Sequence, residues 1–141
     1  MRDGWPADGG TRQVRTVGRR VVVIDDDPSI REVAALALSV VGGHEVHTAG
    51  DGTEGMEVAR RVRPDAVLLD VMMPVLDGPT VLARMREVEA LRDVPVVFLT
   101  AKVGAQDISR LDGLGAVAVI TKPFDPLRLA RQLADALGWD A

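Results

Sequence analysis

The chain has 141 residues, 47% hydrophobic and 27% charged, which is the balance of one globular domain built around a single core. Its net charge of −4 is unevenly spread: residues 1–20 hold five Arg against Asp3 and Asp8, so the rest is strongly acidic and poorly suited to gripping nucleic acid through phosphates. Cysteine is absent, which excludes disulfides and thiolate metal sites and fits a cytoplasmic location, while no apolar run approaches the roughly 18–20 residues of a membrane span and no secretory signal opens the chain.

Residues 1–18 show no periodicity and many Gly, Arg and Asp, and are expected to form a flexible extension ahead of one folded domain over 19–138. RRVVVID (19–25) reads as a strand. Asp27-Pro28 then supplies a helix N-cap followed by Pro at the first helical position. The stripe Ile30, Val33, Ala34, Ala37 and Val41 predicts a helix that Gly42-Gly43 ends. HEVHTA (44–49) is the second strand, and Asp51 opens a second helix with Glu54 three residues on, in the pattern of a capping box. DAVLLD (65–70) is the third strand, and Asp77-Gly78 fits a tight turn after it. Val81, Leu82, Met85 and Val88 predict the third helix, and VPVVFLT (94–100) the fourth strand. Between Ala105 and Gly113 only Ile108 and Leu111 are apolar along a helical face, so a short, mobile helix is expected. AVAVI (116–120) and the stripe Leu129, Ala130, Leu133, Leu137 complete the set.

Five strands alternating with five helices predict an α/β fold, a doubly wound, five-stranded parallel sheet of flavodoxin-like order 2-1-3-4-5. Such sheets bind ligands at the carboxyl ends of their strands, where the order reverses, here between strands 1 and 3. Strand 1 ends at Asp25-Asp26, strand 3 at Asp70 and strand 4 at Thr100, while Lys122-Pro123 follows strand 5. Like charges about 4 Å apart cost about 4 kcal/mol per pair at an effective dielectric near 20. Clustered carboxylates therefore point to a hard divalent cation such as Mg²⁺, with Asp27 set aside as the helix cap. His44 and His47, three apart on a predicted strand, face opposite sides and do not share a metal. GDGTEG lacks the Lys-Ser/Thr ending of a phosphate loop.

VVVIDDDPSIR, VLLDVMMPVLDG, VVFLTA and ITKPF, in this order and spacing, resemble the receiver domain of two-component response regulators over roughly residues 20–137. The resemblance implies that Asp70 accepts a phosphoryl group from a histidine on a partner. It implies that Asp26 ligates Mg²⁺ directly, Asp25 mainly through water, and Met72 through its backbone carbonyl, with Asp70 completing the metal set. Lys122 would pair with the phosphoryl oxygens, Thr100 would donate its hydroxyl to them, and the Lys122-Pro123 peptide would be cis. The family usually carries Tyr or Phe where this chain has Val119, so a switch by ring reorientation is not expected.

The function expected is that of a stand-alone phosphoacceptor switch rather than an enzyme acting on other substrates. Its partners would be a sensor histidine kinase or histidine phosphotransfer protein and a downstream effector protein, with no direct contact to nucleic acid or membrane. Two alternatives are a Mg²⁺-dependent aspartyl-phosphate hydrolase, disfavoured because Met72 stands where such hydrolases carry a second Asp, and a docking module that needs no phosphorylation.

Overall fold

Five Val- and Leu-rich segments form the strands β1 (Arg20–Ile24), β2 (Glu45–Ala49), β3 (Ala66–Asp70), β4 (Val96–Thr100) and β5 (Ala118–Thr121). Around them lie α1 (Pro28–Leu36), α2 (Gly52–Val62), α3 (Gly78–Glu87), α4 (Ala105–Asp112) and α5 (Leu129–Leu137). The structure, a computed structural model, describes residues 18–101 and 104–139, so the expected extension lies outside the described residues apart from Gly18.

All strand pairs are parallel and the order is β2-β1-β3-β4-β5, the predicted doubly wound arrangement. Period-2 alternation sends neighbouring strand residues into two different cores. Val22, Ile24, Val67, Leu69, Val96 and Phe98 pack with Val58, Val81, Leu82, Met85 and Leu111 beneath α2, α3 and α4. Val21, Val23, Leu68, Val97, Leu99 and Ile120 pack with Ala34, Leu38, Leu129 and Leu133 beneath α1 and α5. Every residue of β3 and β4 is buried, which is why these strands read as continuous apolar runs. Each fully buried Val, Leu or Phe there contributes about 1.5–3 kcal/mol.

The register sets the functional edge. Ile24 pairs with Leu69 and Asp70 with Leu99, so the residues just after β1 and at the ends of β3 and β4 lie side by side. Thr100 pairs with Thr121, which brings Lys122 to the same edge.

Three local expectations are corrected. The stripe on α1 is rotated: Ala34, Ala37 and Leu38 are buried, whereas Val33 and Val41 are exposed. The helix continues as a π-turn over Ala37–Val41, where Gly42 N–H donates to the Ala37 carbonyl at 3.1 Å. That widening changes the angular step per residue and swings Val41 outward. His44 precedes β2 instead of belonging to it. Gly78 is the first residue of α3, capped by Asp77, whose Oδ1 accepts from Thr80 N–H at 2.9 Å. A Cβ on Gly78 would run into the Asp70 carbonyl oxygen, so close approach to β3, not turn geometry, requires glycine here.

The caps of α1 and α2 follow the sequence reading. Asp27 Oδ1 accepts from Ser29 and Ile30 N–H at 2.9 and 3.3 Å, with Pro28 at the first helical position. Asp51 Oδ1 accepts from Glu54 N–H at 2.7 Å, while Glu54 Oε1 reaches one residue beyond the usual capping box, to Gly50 N–H at 2.8 Å. Residues Lys122 and Pro123 are joined by a cis peptide bond, as expected.

Candidate functional site

At the carboxyl edge of the sheet, one oxygen each from Asp25, Asp26 and Asp70 lies within 4.8 Å of the others. Burial separates their characters: Asp25 and Asp70 are buried, and Asp26 is exposed. Asp25 is held by its backbone N–H, which donates to the Ala49 carbonyl at 3.1 Å, and through Oδ1, which accepts from Asp27 N–H at 2.9 Å. Asp70 ends β3, a strand buried along its whole length.

Lys122 joins the cluster from the far side of the sheet. Its Nζ lies 3.0 Å from Asp25 Oδ2 and 3.2 Å from Asp70 Oδ1. Only the Asp70 contact has hydrogen-bond alignment, so Asp25 Oδ2 is buried beside a cation without an aligned donor. Burial, and then the neighbouring Asp25 carboxylate, push the Asp70 carboxyl up to about 6, against the opposing pull of Lys122. Burial also works against the Lys122 charge, but the close Asp25 and Asp70 carboxylates outweigh it and raise the lysine pKa. One ammonium thus faces three carboxylates, and the site has a surplus of negative charge.

Those features fit a hard cation. The oxygens are carboxylate donors, one of them a buried atom lacking an aligned hydrogen bond, and the surplus charge is of the sign a divalent ion would neutralise. Met72 lies two residues past β3 with its side chain exposed, so only its backbone has anything to offer such an ion. Thr100 is buried at the end of β4, and its carbonyl accepts from Lys122 N–H at 2.8 Å. It also lines a cavity of about 110 Å³ with Val71, Met72, Asp107, Arg110 and Leu111.

The structure therefore brings Asp25, Asp26, Asp70, Thr100 and Lys122 to one edge, with Met72 beside them. His44 and His47 stay out of it: His44 meets Trp139 in a tilted ring contact with centroids 5.3 Å apart, and His47 Nε2 lies 2.7 Å from Glu45 Oε2. Sequence reasoning missed Arg31, whose Nη1 donates to the Asp25 carbonyl at 2.9 Å. The available signal was its position one helical turn after the Asp27 cap, where a long side chain can fold back over the strand end.

Among the described residues no helix is long and apolar enough to cross a membrane. Residues 21–134 match the family described as the response regulator receiver domain. The DNA-binding dual master transcriptional regulator RpaA of Synechocystis sp. is 41% identical over 106 residues, covering 75% of this chain and 44% of its own length. The chain spans about half the length of the curated relatives it matches. Among solved structures, the chemotaxis response regulator CheY4 of Vibrio cholerae is 30% identical with a TM-score of 0.78, covering 85% of this chain and 99% of its own. The receiver domain of the sensor histidine kinase PA1611 from Pseudomonas aeruginosa PAO1, described with a magnesium ion coordinated in its active site cleft, is 31% identical with a TM-score of 0.76, covering 86% of this chain and 99% of its own. On the fold, the acidic edge and this family match together, the chain belongs to the response regulator receiver domains of two-component systems.

Proposed function

We propose that Asp70 is a phosphoacceptor, taking a phosphoryl group from a phosphohistidine on a sensor kinase or histidine phosphotransfer protein. The observation that carries this reading is the meeting of Asp70 with Asp25, Asp26 and Lys122 at one strand edge. A carboxylate oxygen of Asp70 attacks phosphorus, the phosphorus–nitrogen bond breaks, and the imidazole leaves with the electron pair, so an acyl phosphate forms on the aspartate. Lys122, already 3.2 Å from Asp70 Oδ1, holds a phosphoryl oxygen as a point charge, and the Thr100 hydroxyl donates to another. Asp25, Asp26, Asp70 and the Met72 carbonyl are the groups that would hold Mg²⁺. When bound, the ion supplies neutralisation of the charge on the transferred phosphoryl oxygens.

On this reading the chain catalyses only its own phosphorylation and dephosphorylation and signals by contact with an effector protein in the cytoplasm. Nucleic acid binding named for longer relatives is not assigned to these residues, whose acidic surface disfavours phosphate contact. A hydrolase reading lacks support, because the exposed Met72 offers no carboxylate two residues after Asp70.

Incubation with acetyl phosphate and Mg²⁺, followed by intact-mass measurement, tests the assignment. One added phosphoryl group is expected, lost with chelator or with Asp70→Asn. Equal phosphorylation of the Asp70→Asn protein would overturn it.

A further inference from the structure

We infer that Arg31 is a positioning residue for the two consecutive acids, acting on them through the backbone; the inference rests on the cation-binding role proposed above. The geometry is a closed ring of hydrogen bonds. Asp27 N–H donates to Asp25 Oδ1 at 2.9 Å, Arg31 N–H donates to the Asp27 carbonyl at 2.9 Å, and Arg31 Nη1 returns to the Asp25 carbonyl at 2.9 Å.

The carbonyl that Arg31 holds belongs to the peptide linking Asp25 to Asp26. Because a peptide unit is planar, fixing that oxygen fixes the Asp26 N–H and narrows the directions in which the Asp26 side chain leaves the backbone. Asp25 is tied on its other side by its N–H to the Ala49 carbonyl. Asp26 is exposed and meets the Asp70 carboxyl only at its tip, so the peptide plane sets the direction from which its side chain reaches the cluster. The neighbouring chain leaves room for the clamp: a Cβ at Gly50 would sit 3.1 Å from Arg31 Nη1, and Glu54 holds Gly50 in place through its N–H.

Charge alone predicts the opposite of positioning, and this separates the two. Removing a cation beside an acidic cluster should tighten binding of a divalent ion, whereas losing the clamp should weaken it. Mg²⁺ affinity is measured calorimetrically and by Mg²⁺-dependent melting, on wild type, Arg31→Gln, Arg31→Lys, Gly50→Ala and Asp26→Asn. We expect about tenfold weaker Mg²⁺ binding for Arg31→Gln and Arg31→Lys, the scale seen when groups that orient metal ligands are removed. Gly50→Ala, which crowds only the end of a flexible side chain, should fold normally and show a smaller loss in the same direction. Wild-type affinity, or tighter binding, in folded Arg31→Gln would overturn the inference, as would a lowered melting temperature with unchanged Mg²⁺ affinity. Should Arg31→Gln fail to fold, wild-type affinity in Gly50→Ala and Arg31→Lys would overturn it instead. Mg²⁺ binding by wild type that Asp26→Asn abolishes supports the underlying cation site independently of Arg31; a wild type indifferent to Mg²⁺ would overturn both.

Discussion

Neutralising Asp70 should stabilise the metal-free protein. The Asp70 carboxyl stands at about 6 against an ordinary 3.8, because burial and the Asp25 carboxylate penalise its charge. A rise of that size corresponds to about 3 kcal/mol when the group is fully ionised in the native state. The strand edge opens to water, which screens the charge, so about half, 1–2 kcal/mol, is the working figure. The sign follows from proton binding. Between about pH 4 and pH 6 the native state keeps a proton that the unfolded chain has released, so stability falls as pH rises through that window. Above it the cost is complete. Asp70→Asn keeps an oxygen for Lys122 and removes the charge, so with chelator at pH 7.5 it should melt about 4–8 °C higher than wild type. The gap should close toward zero by about pH 4, where the wild-type carboxyl also carries its proton. Added Mg²⁺ should narrow the gap at pH 7.5 by stabilising wild type through binding to the native state alone. A lower melting temperature for Asp70→Asn at pH 7.5, or a gap independent of pH, would refute the reasoning.

Lys122→Met leaves Asp25 and Asp70 facing each other without a counter-ion; chemical denaturation at pH 7.5 should show a loss of about 3 kcal/mol, partly recovered on acidification. Gly78→Ala forces a Cβ onto the Asp70 backbone carbonyl and should cost about 1–3 kcal/mol as well as slow phosphorylation from acetyl phosphate, whereas an unchanged rate and melting curve would show that the β3–α3 junction yields easily. Among the described side chains of α4 Leu111 alone is buried, so local opening there is cheap, and beryllium fluoride with Mg²⁺ should change hydrogen exchange mainly across residues 104–113. Val119, half-buried and stiff at χ1, should change little; protection changes confined to residues 116–120 would contradict this.

Much of this molecule was legible in the sequence because its signals are local. Continuous apolar runs at 66–69 and 96–99 marked strands buried on both faces. Asp27-Pro28 and Asp51 placed two helix starts, since a cap and the N–H groups it satisfies lie within a single turn. The five chemistry-bearing side chains were named from the ends of those elements, because in an open parallel sheet the strand ends share one edge.

The tertiary structure decided what depends on distance rather than on order. Whether Asp25 or Asp26 is the buried acid is not written in two adjacent identical residues; strand register buries the first and leaves the second to water. The high pKa of Asp70 needs the Asp25 carboxylate and its enclosure by β1 and β4, none of which is contiguous with it in the chain. Val33 and Val41 fall on an ideal helical stripe yet stand exposed, because packing against α5 and a wide π-turn chose a different face of α1. Gly78 read as a turn residue, and only the approach of α3 to the β3 backbone showed that it is a spacer. Arg31 drew no role from the sequence; its place one turn after the Asp27 cap allowed a fold-back, and the fold laid it over the Asp25 carbonyl.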